Sequence, residues 1–197
     1  PLSFAQVDFD HPLWVVYSSG TTGLPKAMVH GHGGITLELH KTIAFHCNLR
    51  RDTRMFFYTT SGWIMWNILV GAMLVGSAPV LYDGHPSSPD VDVLWRLAAE
   101  SRATMFGASP TYVQMMQKNG VVPRERYDFS SLEGVLLTGS PVTPESMLWR
   151  ISASAVCMPR SAAAGSMRGS EILATPMASS FFAAISGVVG RERMPKP

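Results

Sequence analysis

A layered α/β fold is what this sequence predicts, and three observations carry it. Short apolar runs of strand length alternate along the chain with stretches whose apolar residues recur at helical spacing. Hydrophobic residues make up 46% of the chain and charged residues 15%, the balance of a packed interior rather than a disordered polyelectrolyte. Between Arg54 and Asp83 there is no charged residue, as expected where strand, helix and strand are buried in succession.

The elements follow in chain order. Trp14 to Tyr17 is a short apolar run ending in a Ser/Gly/Thr cluster, a buried strand entering a loop. Lys26 to His30 resumes as a second strand, so the two flank the loop like a hairpin. Ile35 to Phe45 reads as a helix, with Ile35, Leu39 and Ile43 on one face. Met55 to Thr59 is strand-like, Trp63 to Val75 a buried helix, and Pro79 to Tyr82 another strand. Ser88-Pro89 supplies an N-cap and a first-turn proline for a helix carrying Val91, Leu94, Trp95 and Ala98. Thr104 to Ala108 is a strand. Ser109-Pro110 opens the next helix, TYVQMMQKN, which Gly120 closes; Tyr112, Met115 and Met116 form its core face. Val135 to Leu137 is a strand running into Thr138-Gly139-Ser140-Pro141, and Thr143-Pro144-Glu145 opens a further helix.

The bulk numbers exclude several classes. At 197 residues the chain can form one domain with a real core, or part of a larger one. A net charge of +2 without a Lys/Arg stripe argues against nucleic acid. Cys47 and Cys157 are too far apart in sequence to give a disulfide framework or paired zinc ligands, so a reduced, cytoplasmic chain is expected. His30 and His32 lack a third ligand at useful spacing, and no metal site is expected. The uncharged run is long enough to span a bilayer, but Gly62, Gly71, Gly76, Pro79 and Asn67 interrupt it, which favours an α/β core over a membrane helix. PLSFAQVDFDHP has neither the basic nor the apolar region of a signal peptide and no initiator Met; the chain is expected to begin inside a longer protein.

The chemistry sits in YSSGTTGLPKAM, residues 17 to 28. Ser18, Ser19, Gly20, Thr21, Thr22, Gly23 and Lys26 are the residue types that cradle phosphate. Glycines let the backbone approach closely, successive N–H groups form an anion-binding nest, hydroxyls add donors and the lysine a full charge. It is not a Walker A loop, because Gly20 and Gly23 have two residues between them and Lys26 is followed by Ala27.

VVYSSGTTGLPK (15 to 26) resembles the phosphate-loop signature of the adenylate-forming superfamily of acyl-CoA synthetases, luciferases and peptide-synthetase adenylation domains. The resemblance implies the layered β-α sheets of an N-terminal adenylation domain of acyl-CoA synthetases, in truncated form. It also implies a two-step ligase: a carboxylate attacks Mg-ATP to give acyl-AMP and pyrophosphate, and coenzyme A then displaces AMP. HPLWVVYSSGTTGLPKAMVHGHGG (11 to 34) is similar to the acetyl-CoA and acetoacetyl-CoA synthetase branch, and LLTGSP (136 to 141) to the adenine segment of the acetyl-CoA synthetase branch, while YTTSGWIMWNILVG (58 to 71) and LYDG (81 to 84) with VLW (93 to 95) are most similar to acetoacetyl-CoA synthetases. Activation of acetoacetate is therefore implied, with acetate or propionate, or a non-catalytic nucleotide-binding remnant, as alternatives.

By that resemblance Ser18, Ser19, Gly20, Thr21, Thr22, Gly23 and Lys26 bind the ATP phosphates. Gly139, Ser140 and Pro141 line the adenine, with Ser140 where the branch usually carries glutamate. Trp63, Ile64 and Met65, with Thr138 nearby, wall the acyl pocket; plain core packing is the alternative for Trp63 and Trp66. The family pattern stops at about residue 149, which sets the expected domains: a partial AMP-binding domain over 1–149 and an unmatched tail over 150–197, rich in Ala, Ser, Met and Arg. The tail is expected to be a shifted reading frame or a truncated product. It lacks the family's later motifs, including the catalytic lysine, so no catalytic residue is expected here. The chain alone is expected to be inactive and, with uncovered apolar faces, poorly soluble.

Overall fold

The computed structural model describes residues 2–17 and 24–141. They divide between Leu39 and His40 into two units, each taken by itself below.

The first unit is an antiparallel hairpin followed by a helix. β1 (Pro12–Tyr17) pairs with β2 (Ala27–Gly31) in a register that sets Trp14 against His30, Val15 against Val29 and Val16 against Met28. The expected hairpin around the loop is therefore present. α1 (His32–His40) follows directly, earlier than the sequence suggested, and passes into a π-helical turn over Lys41–His46. A tight turn over Asp8 to His11 supplies acceptors for the first free amides of α1: His32 N donates to His11 O (2.9 Å) and Gly33 N to Phe9 O (2.8 Å). Phe9 lies over Gly33 so closely that a Cβ there would overlap its ring.

The second unit is a four-stranded, wholly parallel sheet in the order β4-β3-β5-β6. Its strands are β3 (Arg54–Phe57), β4 (Ala78–Val80), β5 (Met105–Ala108) and β6 (Gly134–Leu137). Between them run α2 (Ile64–Gly71), α3 (Val93–Glu100) and α4 (Pro110–Lys118). The layered α/β arrangement is thus the one the sequence predicts. Pro79 is tolerated because β4 is an edge strand of this sheet. β5 is buried along its whole length, as a central parallel strand covered on both faces should be.

The path through the sheet decides where helices go. From β3 the chain steps to one side to make β4, then returns past β3 to make β5 and β6 on the other. Right-handed crossovers then put α2 on one face and α3 and α4 on the opposite one. The packing agrees. Phe56 and Phe106 join Leu94, Trp95, Ala98, Tyr112 and Met116 in one apolar cluster. Trp95 lies against Phe106 with ring centroids 4.0 Å apart and meets Phe129 edge-on at 5.6 Å. α2 and the 3₁₀ turn after it (Ala72–Val75) bury Met65, Ile68, Leu69 and Ala72, the spacing of one helical stripe. Gly76 closes that turn at φ +76°. The charge-free run is therefore β3, α2 and β4 of a folded sheet. No helix among the described residues is long and apolar enough to cross a membrane.

One expected helix start is corrected. Ser88-Pro89 does not open α3; the helix begins at Val93, with Asp92 at its N-cap position. Ser88 is held outside the helix because Tyr82 Oη donates to the carbonyls of both Ser88 and His85 (3.3 and 3.2 Å). Asp92 is buried and accepts from Arg126 Nη1 (2.8 Å) and Tyr127 Oη (3.1 Å), tying the start of α3 to the turn after α4. At α4 the sequence reading holds: Ser109 caps the helix by accepting from Tyr112 N, Pro110 fills its first turn, and Gly120 follows its end at φ +64°. The helix expected from Thr143 lies outside the described residues.

Two predictions follow from this packing. Gly107 stands beside Phe57 in the β3–β5 register, and a Cβ at Gly107 would overlap the Phe57 ring, which is only 2% exposed and cannot swing away. Gly107→Ala is expected to lower the stability of the full chain by about 1–3 kcal/mol. Urea denaturation will measure the loss, and a Gly107→Ala/Phe57→Leu double variant should recover part of it. Burial pushes the Asp92 carboxyl up, but the hydrogen bonds from Arg126 and Tyr127 outweigh it and hold the group below the usual carboxylate range. Its stabilisation is therefore full above about pH 4, the unfolded value, and lost as pH falls further. Asp92→Asn should flatten that part of the acid limb in a stability-versus-pH series.

Candidate functional site at the carboxyl ends of the sheet

All four strands point the same way, so their carboxyl ends share one edge. There the ladder continues past the strands themselves: Tyr58 N donates to Gly107 O (2.9 Å) and Thr138 N to Ala108 O (3.3 Å). The reversal of strand order lies between β3 and β5. The segment after β3 leaves toward α2, and the segment after β5 toward α4 on the opposite face. In open α/β sheets such a divergence opens the crevice where ligands bind.

The segment after β6 lies across this edge. Gly139 is at φ +100°, and a Cβ there would stand 3.3 Å from Cζ2 of Trp63. Trp63, which precedes α2, meets Phe57 edge-on at 5.8 Å. On the other side Ser140 Oγ lies 3.5 Å from Thr111 Oγ1 in the first turn of α4. Residues from three separate stretches thus converge: Trp63, Thr111 and Thr138–Ser140. Thr138 is buried, Trp63 and Ile64 are half-buried, and Gly139, Ser140 and Pro141 are exposed. Met65 is 3% exposed, within the buried stripe of α2. Next to this edge Tyr58 donates to Gly84 O (3.1 Å); burial and then the neighbouring Tyr82 push its phenol up.

Of the expected phosphate-loop residues, Ser18, Ser19, Gly20, Thr21, Thr22 and Gly23 lie outside the described residues. Lys26 belongs to the first unit and is exposed immediately before β2. His30 is buried against Trp14, and His32 Nδ1 lies 2.8 Å from His11 O. Among the described residues no group of three or more His, Cys, Asp and Glu could hold a metal ion. Thr111 escaped the sequence reading. Its only local signal was a hydroxyl in the first turn after Ser109-Pro110, and its neighbour Ser140 is far along the chain.

A family profile described as AMP-binding enzyme matches residues 3–156. The chain belongs to that family. It is 46% identical to the acetoacetyl-coenzyme A synthetase of Rhizobium meliloti (strain 1021) over 145 residues, 74% of this chain and 22% of the relative. It is 38% identical to the acetoacetyl-CoA synthetase of Danio rerio over 168 residues, 85% of this chain and 24% of the relative. Among solved structures, the acetoacetyl-CoA synthetase of Streptomyces lividans matches with a TM-score of 0.70 at 50% identity, over 74% of this chain and 23% of that one. The luciferase-like enzyme of the mealworm Zophobas morio matches with a TM-score of 0.58 at 26% identity, over 72% and 32%. The chain therefore spans about a quarter of the length of the curated relatives it matches.

Gly139 is fixed twice in this AMP-binding domain, by its backbone and by the indole beside it. Gly139→Ala is expected to cost about 1–3 kcal/mol from the positive φ and to push Trp63 aside. The emission change that follows should vanish in a Trp63→Phe background. Unchanged emission would show that the indole does not rest on this residue.

Proposed function

We propose that this chain supplies part of the active site of an acid–thiol ligase that activates acetoacetate through acetoacetyl-AMP and passes it to coenzyme A. The observation that carries the reading is the convergence of Trp63, Thr138, Gly139 and Ser140 at the strand-order reversal of an AMP-binding domain. The similarity to acetoacetyl-CoA synthetases supports the choice of acid.

In this reading Ser18, Ser19, Gly20, Thr21, Thr22 and Gly23 cradle the β and γ phosphates of ATP, and Lys26 neutralises charge on the leaving pyrophosphate. Magnesium enters with ATP as part of the substrate, and no described residue is assigned to it. Gly139 presents bare backbone to the adenine, with Ser140 and Pro141 at its edge. The Ser140 hydroxyl is a weaker, uncharged partner where the branch usually has a carboxylate. Trp63, Ile64, Met65 and Thr138 wall the acyl pocket, Met65 from within the buried stripe of α2. These groups bind and orient, converting encounter into a held geometry. The substrates are small molecules handled in the cytoplasm, with no nucleic acid or membrane partner, and the 1–149 segment is the working domain.

A second reading is nucleotide binding without turnover by the chain on its own, favoured by its span of about a quarter of its relatives' length. Both readings agree that the 197-residue chain makes no acyl-CoA. A coupled assay of AMP release with acetoacetate, ATP and coenzyme A checks this, and clear turnover would refute it. The acid is tested by grafting residues 3–141 into the Rhizobium meliloti enzyme in place of the matching segment. AMP release should depend on acetoacetate far more than on acetate or propionate, and Lys26→Ala should cut it by about 10²-fold. A folded graft that prefers acetate would sink the acid assignment; one that releases no AMP would sink the ligase reading.

A further inference from the structure

Trp14 on β1 and His30 on β2 are register partners, their ring centroids 6.5 Å apart. Trp14 Nε1–H donates to His30 Nδ1 at 3.0 Å. An indole nitrogen is a donor only, so Nδ1 must offer its lone pair, and the ring proton resides on Nε2. His30 is 5% exposed, and its Nε2 has no hydrogen-bond partner among the described residues. A second proton would set N–H against N–H inside the fold and bring a charge out of water. Burial accordingly holds the imidazole below its ordinary range, and no charged neighbour contributes. The titratable groups on the surrounding elements are Asp8, Asp10 and His11 of the turn, Tyr17 on β1, Lys26 before β2, and His32, Glu38 and His40 on α1; none of them bonds Nε2.

We propose that His30 is a positioning residue: as the neutral Nε2–H tautomer it holds Trp14 and, through that pair, fixes the β1–β2 register that carries the Ser/Gly/Thr loop between the strands. Cross-strand register otherwise rests on Val15–Val29 and Tyr17–Ala27, whose side chains are exposed and specify register weakly, and on the half-buried Val16–Met28 pair, which carries no directional bond. The Trp14–His30 bond is directional and partly buried, so a slip of one residue would strand a donor and an acceptor together. The ligand of the loop rests on the ligase reading above; the tautomer and the register do not.

The test uses the full chain. Nitrogen-15 NMR of the imidazole should show the Nε2–H tautomer at neutral pH, titrating below 6.5. The Trp14 indole proton and the exchange protection of the Val16 and Met28 amides should change with the same midpoint. Affinity for inorganic pyrophosphate should fall by about tenfold across that transition. His30→Asn, which offers an oxygen in place of Nδ1 and does not titrate, should keep protection and affinity flat with pH, and His30→Leu should lose both at every pH. An Nδ1–H tautomer, or an Asn variant that keeps the acid-side loss, overturns the proposal. If pyrophosphate binds at no pH while tautomer and protection behave as expected, the positioning role stands and the phosphate reading of the loop falls.

Discussion

Phe57 lies across the backbone of Gly107, in the place where any other residue of β5 would put its side chain. The organisation of the second unit depends on that close approach. With the ring flat on the central strands, its edge receives Trp63, and Trp63 in turn sets the position of its indole against Gly139. Two glycines and two aromatic rings thus form a continuous line from the interior of the sheet to the candidate site. Gly107 is required by space and Gly139 by its positive φ, with the indole in tight contact beside it. Because the rings are rigid and buried on one side, a displacement at one end of the line has few ways to be absorbed before the other.

The opposite face works differently. Trp95, Phe106 and Phe129 stack under α3 and α4, and Asp92 joins the start of α3 to the turn bearing Arg126 and Tyr127. Trp95 Nε1 has no hydrogen-bond partner among the described residues, a desolvation cost of about 1–3 kcal/mol accepted for the ring packing around it. The face that holds the unit together and the face that sends Trp63 to the site are therefore separate, with the sheet between them.

Much of this was legible in the sequence, because the signals were local. Strand and helix alternation gave the layers, and Ser109-Pro110 and Gly120 bracketed α4. The failures were non-local. Ser88-Pro89 carries a sound helix-start signal, yet Tyr82 holds Ser88 outside the helix, a tertiary bond that no window around Ser88 contains. Thr111 and Ser140 meet only because parallel pairing aligns the ends of β5 and β6. The role of Gly107 depends on which residue of β3 sits beside it, and register is the quantity that local patterning leaves open. For Met65 the helical period was the better guide to burial: residues 65, 68, 69 and 72 form one stripe.

The common direction of the four strands has one more consequence. Beyond Tyr58 and Thr138, which still extend the ladder, segments that leave the same edge can lengthen, shorten or change composition without altering strand pairing. Divergence among descendants of such a chain can therefore accumulate at the mouth of the crevice while the scaffold is inherited intact. A lineage could then alter what the crevice accepts by exchanging exposed residues after β3 and β6, provided Trp63 and Gly139 are kept.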